Sequence, residues 1–164
     1  MEHEKERLKF SIGRYDHYFD SVNNKSNVYL TLNLFILGGL VASYTAILKA
    51  VHYYWAIPTL LIIAISISLV NLLIIVLASR PYLTKETDSL LFFQSVETMG
   101  GKNFKKKSAE ETADEEMDDL RTQTFKLASG LKSKFKKLYM VGNLFALQIL
   151  VFIPLIILIL KNLK

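Results

Sequence analysis

The sequence predicts an all-α integral membrane protein with three transmembrane helices and cytoplasmic helical extensions, assembled as an oligomer. Three observations predict it. First, residues 28–48, 53–79 and 138–160 are apolar runs without a single charged side chain, and each is long enough to cross a hydrocarbon core of roughly 30 Å as a helix. Second, the charges are segregated from those runs. Residues 1–27 hold five basic and five acidic side chains, and residues 80–137 hold twelve and ten, whereas Lys49, Lys161 and Lys164 are the only charges elsewhere. Third, 51% hydrophobic content is too apolar for an ordinary soluble domain. Basic segments stay on the cytoplasmic side during insertion. The amino terminus and the long central segment are therefore expected in the cytoplasm of a multi-pass membrane protein, and the Lys49 turn and carboxyl terminus outside. The expected division is 1–27, a cytoplasmic amphipathic helix; 28–79, a transmembrane hairpin; 80–137, a cytoplasmic helical region; and 138–164, the third transmembrane helix with a short tail.

In the first segment Leu8, Ile12, Tyr15, Phe19, Val22, Ser26 and Tyr29 recur at steps of three and four. That spacing predicts one helix running from the cytoplasm into the first span with a single packing face. Lys25 sits at the membrane junction, where its ammonium reaches the headgroups, and Asn33 lies inside, where it needs an interhelical partner or water. Gly38, Gly39, Ala42, Ser43 and Ala46 are small residues that let another helix approach. A polar break at Lys49–His52 and an aromatic belt at Tyr53, Tyr54 and Trp55 close the first span. The second carries Ala64, Ser68, Asn71 and Ala78 on one strip and ends at Arg80-Pro81.

Residues 87–96 read as a short amphipathic piece ending at Gly100-Gly101, followed by a basic loop with Lys102, Lys105, Lys106 and Lys107. Ser108 and Glu111 have capping-box spacing and are expected to start the next helix. That helix is acidic at its start, basic at its end, and striped by Met117, Leu120, Thr124, Leu127, Leu131 and Leu138. Asn143 and Gln148 lie in the third span, Gln148 expected against another helix, and Pro154 is placed to kink it.

No catalytic constellation holds together, so an enzyme is not expected. The chain lacks cysteine, and His3, His17 and His52 are scattered, leaving neither a thiol nucleophile nor metal-ligand spacing. The Gly-Gly-Lys-Asn loop lacks the spacing of a nucleotide-binding P-loop. No charge lies at depth in any span, which argues against a proton relay or a charged selectivity ring. No cofactor, metal or nucleic-acid partner is indicated.

The run Asp20-Ser21-Val22-Asn23-Asn24-Lys25-Ser26, with Leu30 and Asn33, resembles the opening motif of the small transmembrane effectors of bacterial Pycsar antiphage defence. Arg80-Pro81, Leu91-Phe92-Phe93, Asp119-Leu120, Leu131 and Lys137-Leu138 agree with it. Two positions depart: Asn23 stands where the family more often has aspartate, and Ser26 where it has alanine. The resemblance implies a receptor for a cyclic pyrimidine mononucleotide, cCMP or cUMP, made by a partner cyclase on infection. Binding would impair the inner membrane and abort the infection. On that implication residues 4–27 and 80–137 form a cytoplasmic sensor layer, Lys25, Arg80, Lys102 and Lys105 meet the ligand's phosphate, and Tyr15 or Tyr18 stacks its base. Asn33, Asn71 and Asn143 are expected to line a pore between copies or to pack helices. The alternatives are a membrane adaptor whose striped helices bind a partner protein, and a constitutive holin-like pore.

Overall fold

A computed structural model describes residues 2–81 and 89–164, so the Thr87-Asp88 start of the predicted amphipathic piece lies outside the described residues. The described residues form five helices: α1 (Glu2–Ala50), α2 (Ala56–Ser79), α3 (Phe93–Met99), α4 (Gly101–Glu110) and α5 (Ala113–Lys161). Of these, α1, α2 and α5 are long and apolar enough to cross a membrane. The chain divides into two compact units, a charged one of Met1–Ser21 with Pro81–Ser133, and an apolar one of Val22–Arg80 with Lys134–Lys164.

In the apolar unit α2 presents Ile57, Leu61, Ala64, Ser68, Asn71, Ile75 and Ala78, all buried, at the three- and four-residue steps of one helix face. Leu40 and Val51 on the α1 side and Leu155 on α5 complete the core cluster. The Tyr29 and Phe145 rings lie 5.5 Å apart between α1 and α5. Gly38 and Gly39 do not serve the close approach expected of them, since a Cβ built on either meets nothing within 4 Å. The face α1 buries runs through Asn33 and Leu40, and the glycines fall outside that stripe.

The break between the first two spans lies at Val51–Trp55, later than the polar residues suggest. Lys49 and Ala50 extend α1 by two residues, and Lys49 suits its negative end. The chain's own tail closes this break. Val51 forms an antiparallel bridge with Leu163, the His52 N–H donates to the Asn162 carbonyl (2.7 Å), and the Lys164 N–H donates to the Ala50 carbonyl (3.0 Å). Helix α5 continues through Pro154 to Lys161.

In the charged unit Met117, Leu120 and Leu131 are buried, and Leu8, Ile12, Tyr15 and Phe19 are half-buried. Both predicted stripes are thus spent on packing. The expected basic loop is instead helix α4, because Lys102–Glu110 is a run of good helix formers with no breaker. At Ser108 the chain is already helical, so the cap falls one turn later. The Thr112 N–H and hydroxyl both donate to Glu115 Oε2 (2.8 Å each) and the Glu115 N–H donates back to Thr112 Oγ1 (3.3 Å). This reciprocal box starts α5. Gly100 divides α3 from α4 at φ 75° and ψ 153°, a region open essentially to glycine alone. Gly100→Ala is expected to cost about 1–3 kcal/mol, read as a lower denaturation midpoint with the helix content of the native protein retained.

Candidate functional site

Two polar constructions stand out, one in each unit. In the charged unit α4 and the start of α5 flank a cleft of about 770 Å³, within the range of small-molecule sites. Met99, Asn103, Lys106, Lys107 and Glu110 reach it from the α3–α4 side at helical spacing, and Asp114, Glu115, Asp118, Asp119 and Thr122 from α5. With Glu111 that makes six carboxylates against two lysines among the described residues. Burial first, then the neighbouring Glu116, Asp119 and Glu115 charges, push the Glu111 carboxyl above its ordinary value. Its folded form therefore binds protons more tightly than the unfolded chain does. Stability falls as pH rises from the ordinary carboxylate range through the raised value. Glu111→Gln should raise the melting temperature at neutral pH, by an effect under about 1 kcal/mol, and the gain should vanish in acid.

One wall of this cleft is held by a network around Ser89, itself buried. The Ser89 hydroxyl and the Leu90 N–H donate to Asp119 Oδ2 at 3.0 and 2.9 Å, and Gln123 Nε2 donates to Ser89 Oγ at 2.9 Å. Ser89 Oγ also accepts from the Leu91 and Phe92 N–H groups (3.1 Å each), capping the turn that leads into α3. Across the unit the Arg121 guanidinium grips Glu4 with two bonds of 2.9 and 3.0 Å, and Lys5 reaches Glu116 at 2.6 Å. Each pair holds its carboxyl below the ordinary value.

In the apolar unit the ammonium of Lys134 is buried, and donates to the Ala78 carbonyl at 2.9 Å and to Asn23 Oδ1 at 3.3 Å. Lys137 donates to the Leu77 carbonyl at 3.3 Å. Carbonyls in the last turn of a helix have no intrahelical donor and carry its negative dipole end, so two cations there satisfy both needs. Deeper in, Asn33 Nδ2 donates to the Ser68 carbonyl (3.0 Å) and Gln148 Nε2 to the Ala64 carbonyl (3.1 Å).

The residues predicted for ligand contact are dispersed. Lys102 and Lys105 are exposed on α4, and neither lines the cleft, because its face carries Asn103, Lys106 and Lys107. Tyr15 and Tyr18 are half-buried on α1; the Arg14 guanidinium donates to the Tyr18 hydroxyl and lies 5.5 Å from its ring centre. Lys25 and Arg80 belong to the apolar unit and are both exposed, Arg80 as the C-cap of α2. Asn33 and Asn71 are buried inside the unit, whereas Asn143 is exposed on α5. Sequence reasoning passed over Lys134, although it stands in the apolar stripe between Leu131 and Leu138. A lysine at a stripe position was the available signal.

No curated protein matches the chain, and no solved structure does. A family model described as the Pycsar effector protein domain matches residues 7–161, nearly the whole sequence. The match embraces both units and all five helices apart from the first residues of α1, and on it the chain belongs to the Pycsar effector family.

Proposed function

We propose that this protein is a membrane effector of bacterial antiphage defence that senses a cyclic pyrimidine mononucleotide, cCMP or cUMP, supplied by a partner cyclase. On binding it impairs the inner membrane and aborts the infection. The observation that supports this beyond family membership is the build of α1 and α5. Each is one helix with a charged half and an apolar half long enough to span a bilayer, so the segment that would meet a ligand and the segment that would meet lipid belong to the same element. The charged unit lies in the cytoplasm, where the nucleotide is made, and copies of the chain assemble because three helices enclose little of a path. No catalytic step is needed.

A phosphate entering the cleft meets Lys106 and Lys107 among carboxylates whose charge opposes an anion, whereas Lys25, Arg80, Lys102 and Lys105 offer cations on exposed surfaces, with Tyr15 or Tyr18 for the base. The adaptor reading has less surface to draw on, since Met117, Leu120 and Leu131 are buried and Leu8, Ile12, Tyr15 and Phe19 half-buried.

The test is thermal shift of the detergent-purified protein with cCMP, cUMP, cAMP and cGMP, followed by dye leakage from liposomes. Selective stabilisation by one pyrimidine nucleotide, with leakage in its presence, is the expected result. No shift with any of the four in folded protein would overturn it. Alanine at Lys106 and Lys107, against alanine at Lys25, Arg80, Lys102 and Lys105, then tells which set carries the phosphate.

A further inference from the structure

The interior of the apolar unit is not uniformly apolar. Asn33, Ser68, Asn71 and Gln148 are each 1–2% exposed, and they come from all three membrane-length helices. Two of their donors are matched, Asn33 Nδ2 by the Ser68 carbonyl and Gln148 Nε2 by the Ala64 carbonyl. Three of their oxygens are not. Among the described residues no donor reaches Ser68 Oγ, Asn71 Oδ1 or Gln148 Oε1. Ala64, Ser68 and Asn71 lie on one face of α2, so these atoms are strung over about 10 Å of helix axis. Ser68 stands near the middle of α2 and Gln148 near the middle of the third apolar run, the depth at which a bilayer offers least to a polar group. A buried acceptor without a donor is costly, and in a polar interior the partner that meets several acceptors at once is water.

We propose that Asn33, Ser68, Asn71 and Gln148 form an internal water-binding seam, and that this seam becomes the wall of the permeation path when the helices part. A dry interface gives nothing to water until it is fully open. A seam already holding water is weaker along its length, and its polar groups serve equally well against a wider aqueous column. As the helices of the assembled copies part along the α2 strip, the path runs over this seam and not over the face that carries Asn143. The hydration step stands on the geometry alone, and the permeation step rests on the proposed function.

Water-edited solid-state NMR on the unmodified protein in liposomes tests the first step without ligand. Magnetisation transfer from water to the side-chain amides of Asn33, Asn71 and Gln148, comparable with that to the exposed Asn103 amide of the charged unit, is expected; transfer to Asn103 without the other three overturns the proposal. The second step uses the combined variant Ser68→Ala, Asn71→Leu and Gln148→Met, which removes the orphaned oxygens at nearly constant volume. It should keep the ligand-induced thermal shift of the native protein and lose leakage from liposomes. Leakage equal to the native protein's overturns the assignment. If the variant does not fold, Ser68→Cys in this cysteine-free chain replaces it: a charged methanethiosulfonate should label it faster once ligand is added, and unchanged labelling overturns the assignment. If the native protein neither shifts nor leaks with any nucleotide, the proposed function fails, and the NMR result still decides the hydration site.

Discussion

Lys134→Ala is expected to destabilise the apolar unit by about 2–4 kcal/mol, the loss of a charged hydrogen bond together with truncation of a buried stem. The expectation follows from what the ammonium replaces. Ala78 lies in the last turn of α2, where carbonyls run out of intrahelical N–H partners, and its residue is fully buried. Lys134 Nζ supplies that donor at 2.9 Å and adds a positive charge at the negative end of the helix. With alanine the carbonyl loses its donor and the four-carbon stem leaves a void, so two penalties fall on one position. Lys134→Met separates them, since it keeps the stem and removes the cation. Most of the loss should persist in Lys134→Met; a methionine variant as stable as the native protein would show that the contribution is packing alone. Asn23 accepts from the same ammonium at 3.3 Å, so Asn23→Asp places a carboxylate where family members more often carry one. It should raise the melting temperature modestly, by about 1 kcal/mol or less for an exposed partner, and the gain should shrink in high salt.

Much of the fold was legible because lipid imposes strong rules. Three uncharged runs mark three helices, and the Leu8–Tyr29 and Met117–Leu138 stripes mark the buried faces of α1 and α5. What stayed hidden depends on contacts between distant positions. Ser108 and Thr112 both stand three residues before a glutamate, and only the extent of α4 decides which of them caps α5. Lys102, Lys105, Lys106 and Lys107 look alike in sequence, yet helical rotation turns two of them into the cleft and two away from it. Lys49 reads as a break until the carboxyl-terminal residues are seen to close the turn that follows it. The candidate site was less legible still, because the partners of Lys134 lie 56 and 111 positions away and no local pattern records such a pairing.

Asp119→Ala is the second large effect expected, and it acts on the charged unit. One carboxylate oxygen accepts from both the Ser89 hydroxyl and the Leu90 N–H, and the other lies 3.4 Å from Gln123 Nε2. Ser89 in turn holds the Leu91 and Phe92 N–H groups. The α5 helix therefore fixes the start of α3 chiefly through Asp119, with Gln123 bonded to the same Ser89 hydroxyl, and the cleft wall with it. Removing that carboxylate strips a buried hydroxyl and a backbone N–H of their acceptor. At about 1.5–3 kcal/mol for a bond to a charged group, the loss is large for so small a unit. It should also be local, because α3 has only seven residues. Hydrogen exchange should show residues 89–99 opening in Asp119→Ala while residues 113–131 of α5 keep their protection. Asp119→Asn retains one acceptor oxygen and should fall between alanine and the native protein. Uniform loss of protection across the charged unit would instead make Asp119 a global support. Unchanged protection at 89–99 would mean that Ser89 and Gln123 hold the turn without it.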